Sequence, residues 1–295
     1  MKPSAESRTC GILRTISTRA LARCHSGSSA CSNLRSGTLG GSIRLPVALT
    51  PTTIYRSDAA VVSHVDLTSD TGREAAAFAW LDEREQSRRE RFLHPRPRRQ
   101  FTLCRAALRS ALCRALRCSN DELSFGTSAY GKPFALVGGV PASTDFNVSH
   151  SGRHGLIAVA PKRRIGVDVE VRSPRRDIDG DIRLLFSPEE RARLNEANGR
   201  RRLELFWSLW TMKEALLKAL GTGLSRDTTG FTIPPATSFG DGRVDFRFPD
   251  MPATRWQLQA LDDTRFVAAV ALEIPTPSVP DSIGQNEPDT GGSGT

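Results

Sequence analysis

Apolar residues recur at helical spacing in two long stretches of the chain. Residues 100–117 place Leu103, Ala107, Leu108, Ala111, Leu112, Ala115 and Leu116 on one side of a helix, since positions three and four apart stack together. Arg105, Arg109 and Arg117 fall elsewhere around it. Residues 203–220 repeat the pattern with Phe206, Leu209, Trp210, Lys213, Leu216, Leu217 and Leu220, and Gly221 follows as a natural stop. Two shorter helical segments are predicted at 73–92, where Phe78, Leu81 and Phe92 stand among many charges, and at 187–197. In the second, Ser187, Pro188 and Glu190 read as N-cap, first-turn proline and capping-box glutamate.

Short runs of strand character follow each long helix. After the first come LSFG, PFALV, DFNVSH, GLIAVA and IGVDVEV; after the second come GFTI, VDFRF, WQLQAL and FVAAVAL. Turn-forming groups such as Tyr-Gly-Lys-Pro and Ser-Gly-Arg-His separate them. Helices followed by strands, twice over, predict an α+β fold of two similar halves, with a boundary between 57–163 and 164–273.

Composition trims the ends of this picture. The chain has 295 residues and a formal net charge of +9. Residues 1–56 are rich in Ser, Arg and Gly, carry eight bases against one acid, and show no sustained period. They are expected to be a disordered extension: a transit-peptide-like leader, an extension of unassigned role, or the product of an upstream start codon in an arginine-rich coding sequence. Residues 274–295 have the Pro/Gly/Ser composition of a disordered tail and a charge of −3. The remaining middle carries only +5, a weak argument for a nucleic-acid binder. No apolar run reaches transmembrane length. The six cysteines, at 10, 24, 31, 104, 113 and 118, lack metal-site or disulfide-scaffold spacing, so a reducing, cytoplasmic setting is expected unless the extension targets an organelle.

Three clusters carry candidate chemistry. In Ile165-Gly-Val-Asp-Val-Glu170 strand alternation puts Asp168 and Glu170 on one face. Two carboxylates on a largely apolar strand need cationic compensation, from a hard divalent metal or from arginines; alone, the pair would be an ordinary solvated face. In Trp210-Thr-Met-Lys-Glu-Ala-Leu-Leu-Lys218, Glu214 and Lys218 form either a plain i,i+4 pair or a carboxylate and ammonium serving an anionic substrate. Lys213 lies in the apolar stripe, so its stem should run along buried surface with the ammonium emerging at an edge. In Asn147-Val-Ser-His-Ser-Gly152, Ser149 and His150 point to opposite strand faces and cannot be a nucleophile–base pair. They read instead as phosphate donors on a turn, or His150 as a structural histidine. Arg84, Arg88, Arg89 and Arg91 with Arg105 and Arg109 either bind phosphate or form a solvated face.

As an ordered set these motifs resemble the Sfp-type 4′-phosphopantetheinyl transferases. The matching elements are Gly131-Lys-Pro133, Phe146-Asn-Val-Ser-His-Ser-Gly152, Ile165-Gly-Val-Asp-Val-Glu170, Phe186-Ser-x-x-Glu190, Trp210-x-x-Lys-Glu-Ala-x-x-Lys218 and Gly221-x-Gly-Leu-Ser225. The resemblance covers about 73–272 and implies two α+β halves in a monomer, with the site in the cleft between them. It also implies Mg²⁺- or Mn²⁺-dependent transfer of the phosphopantetheine arm of coenzyme A to a serine of an acyl- or peptidyl-carrier domain, releasing 3′,5′-ADP. Asp168, Glu170 and Glu214 then match the metal-ligating carboxylates. Lys218 matches a pyrophosphate contact, and Ser149, His150 and Lys132 match coenzyme A contacts. Arg88 and Arg105 fall near the 3′-phosphate position, and Lys213 joins the cationic set. Glu214 is the first choice of general base and Glu190 the second. Neither nucleic acid nor membrane is expected as a partner.

Overall fold

The computed structural model describes residues 50–172, 178–223, 226–235, 243–261 and 263–275. The extension up to residue 49, the tail from 276, and Leu224 and Ser225 of the last motif lie outside the described residues.

The chain opens with a hairpin of β1 (Thr52–Arg56) and β2 (Val61–Asp66). Three helices follow: α1 (Thr71–Phe78), α2 (Glu83–Glu90) and α3 (Pro95–Leu116). Then come β3 (Leu123–Thr127), β4 (Pro133–Val137), β5 (Val140–Pro141), β6 (Thr144–Ser151), β7 (His154–Pro161) and β8 (Ile165–Glu170). A second helical group, α4 (Ile178–Leu185), α5 (Pro188–Glu196) and α6 (Gly199–Leu220), leads to β9 (Arg243–Phe248), β10 (Met251–Ala260) and β11 (Val267–Ile274). The strands form two four-stranded antiparallel sheets, ordered β1-β2-β7-β6 and β8-β11-β10-β9, and a three-stranded sheet, β3-β4-β5. The fold is α+β.

Three apolar cores hold it together. α1 and α3 bury Ala77, Leu103, Leu108 and Leu112 with Phe146, Ile157 and Val159 of the first sheet. α6 buries Phe206, Trp210, Leu216 and Leu217 with Phe246, Trp256 and Leu258 of the second. Between the sheets, Val62, Leu156 and Ala158 meet Ile165, Val167, Val169, Val270 and Leu272. β8 therefore shows one face to this middle core and the other, carrying Gly166, Asp168 and Glu170, to α6.

Helix α6 lies directly on β8 because Gly166 has no side chain. A Cβ at that position would stand 2.0 Å from the Ala215 carbonyl oxygen and 2.4 Å from the Ala219 nitrogen, distances that only a backbone shift could relieve. We expect Gly166→Ala to cost about 3 kcal/mol or more, read as a lowered urea midpoint; an unchanged midpoint would mean that α6 is not seated on this strand.

The hairpin β1–β2 departs from the sequence reading. Thr52–Arg56, assigned there to the extension, pair with β2 and extend the first sheet. The expected helix over 73–92 divides in two, since Asp82 caps α2 with a reciprocal capping box to Glu85. GFTI forms no strand; Phe231 and Ile233 pack into the α6 core in an irregular segment. Ser187, Pro188 and Glu190 do cap α5 as expected, and Gly221 ends α6 at φ 79°.

His64 on β2 and His154 on β7 share a 2.9 Å hydrogen bond and pack against Phe266. Burial, aided by His154 and Arg265, lowers the His64 pKa to about 4, and burial lowers that of His154 also. A group with a depressed folded pKa is neutral in the fold and takes up a proton on unfolding. Its contribution is thus complete above the unfolded value of about 6.5 and is lost as pH falls toward 4. Denaturant titrations should show stability falling over that window, and His64→Phe should flatten the fall.

Candidate active site

The two sheets pack through the middle core and come together at β6 and β8. β6 ends the first sheet and β8 begins the second, and side chains bridge them in place of a backbone ladder. Asp145 Oδ2 accepts from the Ile165 amide at 2.9 Å, Asn147 Oδ1 from Val167 at 3.1 Å, and Ser151 Oγ from Val171 at 3.2 Å. The alternating polar residues Asp145, Asn147 and Ser151 thus cover a strand edge, which would otherwise leave amides unpaired.

Farther along the seam, the same face gathers the candidate chemistry. Ser149 Oγ donates to Asp168 Oδ1 at 2.8 Å, and Ser151 Oγ donates to Glu170 Oε2 at 2.7 Å. Lys218, in the last turn of α6, donates to Asp168 Oδ1 at 2.6 Å, to Ser149 Oγ at 3.0 Å and to the Val167 carbonyl at 3.3 Å. Glu214 lies one turn earlier on α6 and is 7% exposed. Alternation sends His150 to the face opposite Ser149, so it does not join this cluster.

Three lysines with three carboxylates make parallel arrangements, and their differences locate the reactive one. Lys132 donates to Asp145 Oδ2 at 2.6 Å and to the carbonyls of Ala219 and Ile165. Asp145 Oδ1 takes the Phe146 amide and its Oδ2 also takes Ile165, so both oxygens are used. Lys213 pairs with Glu190 Oε2 at 2.7 Å and donates to the carbonyls of Thr228 and Phe231. Glu190 Oε1 takes the Ile233 amide and Oε2 takes Ser187. Lys213 and Glu190 are both fully buried. In the third pair Asp168 is 1% exposed and its Oδ2 is buried with no hydrogen-bond partner, while the Lys218 side chain keeps 21% of its surface in solvent. One carboxylate oxygen is left unspent, and its ammonium partner has a way out.

This geometry corrects the sequence assignments of Lys213 and Glu190 and shows what holds the other basic residues. Lys213 does not emerge at an edge: its ammonium is fully buried over the Phe231 ring, and burial lowers its pKa despite Glu190. Glu190 has no access to solvent and its lone pairs serve the cap and Lys213, so it is no general base. Lys132 ties the Gly-Lys-Pro turn to β6, to β8 and to the end of α6 through its three hydrogen bonds, and burial lowers its pKa, partly offset by Asp145. Arg105 pairs with Glu85 at 3.2 Å and stacks on Phe125, while Arg88 stays exposed above Phe101. Arg109, buried and bonded to Glu85, Asp82, Asn120 and Leu123, organises the join of α2 and α3. A cavity of about 370 Å³ opens beside the N-terminus of α5, and none of Asp168, Glu170, Glu214 and Lys218 lines it.

Among the described residues no three His, Cys, Asp or Glu side chains are grouped to hold a metal ion. The donors nonetheless suit a hard divalent cation, being carboxylate oxygens with Asp168 Oδ2 unspent. No helix among the described residues is long and apolar enough to cross a membrane.

Residues 164–271 match the family profile of the 4′-phosphopantetheinyl transferase superfamily, and residues 71–162 match that of the 4′-phosphopantetheinyl transferase N-terminal region. A putative 4′-phosphopantetheinyl transferase of Synechocystis is 40% identical over 147 residues, which is 50% of this chain and 59% of that protein. The 4′-phosphopantetheinyl transferase HetI of Nostoc is 34% identical, with 50% and 62% covered. A 4′-phosphopantetheinyl transferase of Bacillus subtilis is 32% identical over 189 residues, with 63% and 80% covered. The chain thus spans about three fifths of the length of the first two relatives and four fifths of the third.

Proposed function

The chain belongs to the 4′-phosphopantetheinyl transferase superfamily, and from that membership we propose that it moves the 4′-phosphopantetheine group of coenzyme A onto a serine of an acyl- or peptidyl-carrier domain. The observation that carries this reading is the seam cluster of Ser149, Asp168 and Lys218, which sets a buried carboxylate with one unpartnered oxygen beside a partly exposed ammonium.

In the proposed reaction the carrier serine oxygen attacks the phosphorus that bears the pantetheine arm. A new P–O bond forms, the bond to the other phosphate breaks, and 3′,5′-ADP leaves with the electron pair. Lys218 supplies positive charge to the pyrophosphate oxygens, where phosphoryl transfer needs it most. The Ser149 hydroxyl, fixed between Asp168 and Lys218, orients that ammonium. Glu214 is the proposed acceptor for the serine proton. Arg88 and Arg105, whose Nη1 is buried and unpartnered, are the proposed contacts of the 3′-phosphate. A Mg²⁺ or Mn²⁺ held by Asp168 with Glu170 and Glu214 would act as a Lewis acid on the phosphate oxygens.

The experiment is direct. Incubation with coenzyme A, Mg²⁺ and a panel of apo carrier proteins should add the phosphopantetheine mass to the carrier serine. Folded protein that modifies no carrier in a broad panel would contradict the proposal.

A further inference from the structure

The three ammonium–carboxylate pairs differ in one respect that bears on how the site is loaded. Lys132–Asp145 and Lys213–Glu190 use every carboxylate oxygen. Lys218–Asp168 leaves Oδ2 buried and unspent, and it alone of the three joins a carboxylate that is 1% exposed to a lysine whose side chain is 21% exposed. A buried carboxylate is costly unless a cation compensates it. Without substrate that cation is the Lys218 ammonium, held by three acceptors: Asp168 Oδ1, Ser149 Oγ and the Val167 carbonyl.

A divalent ion approaching Asp168 meets this ammonium in contact with the same carboxylate. Two cations on one carboxylate repel, and the medium around a buried group screens them poorly. A pyrophosphate changes the balance, because it offers the ammonium new anionic oxygens and returns Asp168 to the metal. We propose that Lys218 is a placeholder counter-ion, which keeps divalent cations off Asp168 until a pyrophosphate draws its ammonium away, so that metal and coenzyme A enter together. Ser149, bonded to both partners, sets the position from which the ammonium leaves. This inference rests on the reading of the site as the place where coenzyme A binds.

The test is Mn²⁺ binding, followed by the electron paramagnetic resonance of the free ion, in the wild type and in Lys218→Met with and without coenzyme A. Methionine keeps the stem and removes the charge. The wild type should bind Mn²⁺ weakly alone and at least tenfold more tightly with coenzyme A. Lys218→Met should bind Mn²⁺ at least tenfold more tightly than the wild type in the absence of coenzyme A, and Asp168→Asn should remove that gain. Equal Mn²⁺ affinity in the wild type and Lys218→Met without coenzyme A, or a gain that survives Asp168→Asn, would overturn the placeholder role. The functional reading fails separately: gain of Mn²⁺ binding with no carrier ever modified leaves the counter-ion intact and removes the transferase, whereas carrier modification without the gain does the reverse.

Discussion

Asp168→Asn should lower transfer to a carrier by roughly three orders of magnitude, the scale expected when one charge-organising group is removed from a phosphoryl-transfer centre. The substitution keeps the shape of a side chain that is 1% exposed and removes only its charge. Lys218, with 21% of its side chain in solvent, can turn to water, so the fold should lose no more than about 2 kcal/mol. The two readouts therefore separate: steady-state transfer collapses while the urea midpoint falls by no more than about 1 M. A variant that kept most of its activity would show that the charge of Asp168 is not needed for the reaction.

Lys213→Met should give the opposite result. Its ammonium and the Glu190 carboxylate are both fully buried, and removing one partner strands the other charge at a cost of about 3–5 kcal/mol. Glu190 would also carry its two cap bonds, to Ser187 and Ile233, around an uncompensated charge. The double substitution Lys213→Met with Glu190→Gln should recover part of that loss. The fraction that remains folded should transfer within a few-fold of the wild-type rate, because the pair lies away from the seam. A pure loss of transfer with stability unchanged would return Lys213 to the substrate-binding set.

These contrasting expectations show where sequence alone was sufficient and where it was not. Helical period and capping chemistry were legible: the Ser187–Glu190 box and the Gly221 stop appear in the structure as read. The shared face of Asp168 and Glu170 was legible too, because strand alternation is a local property; each takes a hydroxyl from its counterpart on β6. Lys213 was misplaced for a physical reason. Period shows which face of a helix is apolar, but not whether a carboxylate 23 positions earlier in the sequence closes over it. The partners of Lys132 were hidden in the same way, since they come from β6, β8 and the end of α6. The edge strand β1 went unread because its neighbours in sequence look like the extension, and only pairing with β2 gives it a role.

Two signals in the sequence point to the seam once their meaning is known. The run Asp145, Asn147, Ser149, Ser151 alternates short polar side chains with Phe146, Val148 and His150. Such side chains can accept from backbone amides on an adjoining edge, as three of them do here. Gly166, inside an otherwise apolar strand, marks a close backbone approach, and α6 makes that approach. Together they fix the site: side chains of β6 join the sheets, and the glycine lets α6 bring Lys218 onto Asp168.

The most direct measurement is a crystal structure of the protein with coenzyme A and Mg²⁺. The account predicts the pyrophosphate at the junction of β6, β8 and α6, within hydrogen-bond reach of Lys218 Nζ, with the Lys213–Glu190 pair unmoved. Pyrophosphate bound elsewhere, with Lys218 still resting on Asp168, would contradict it.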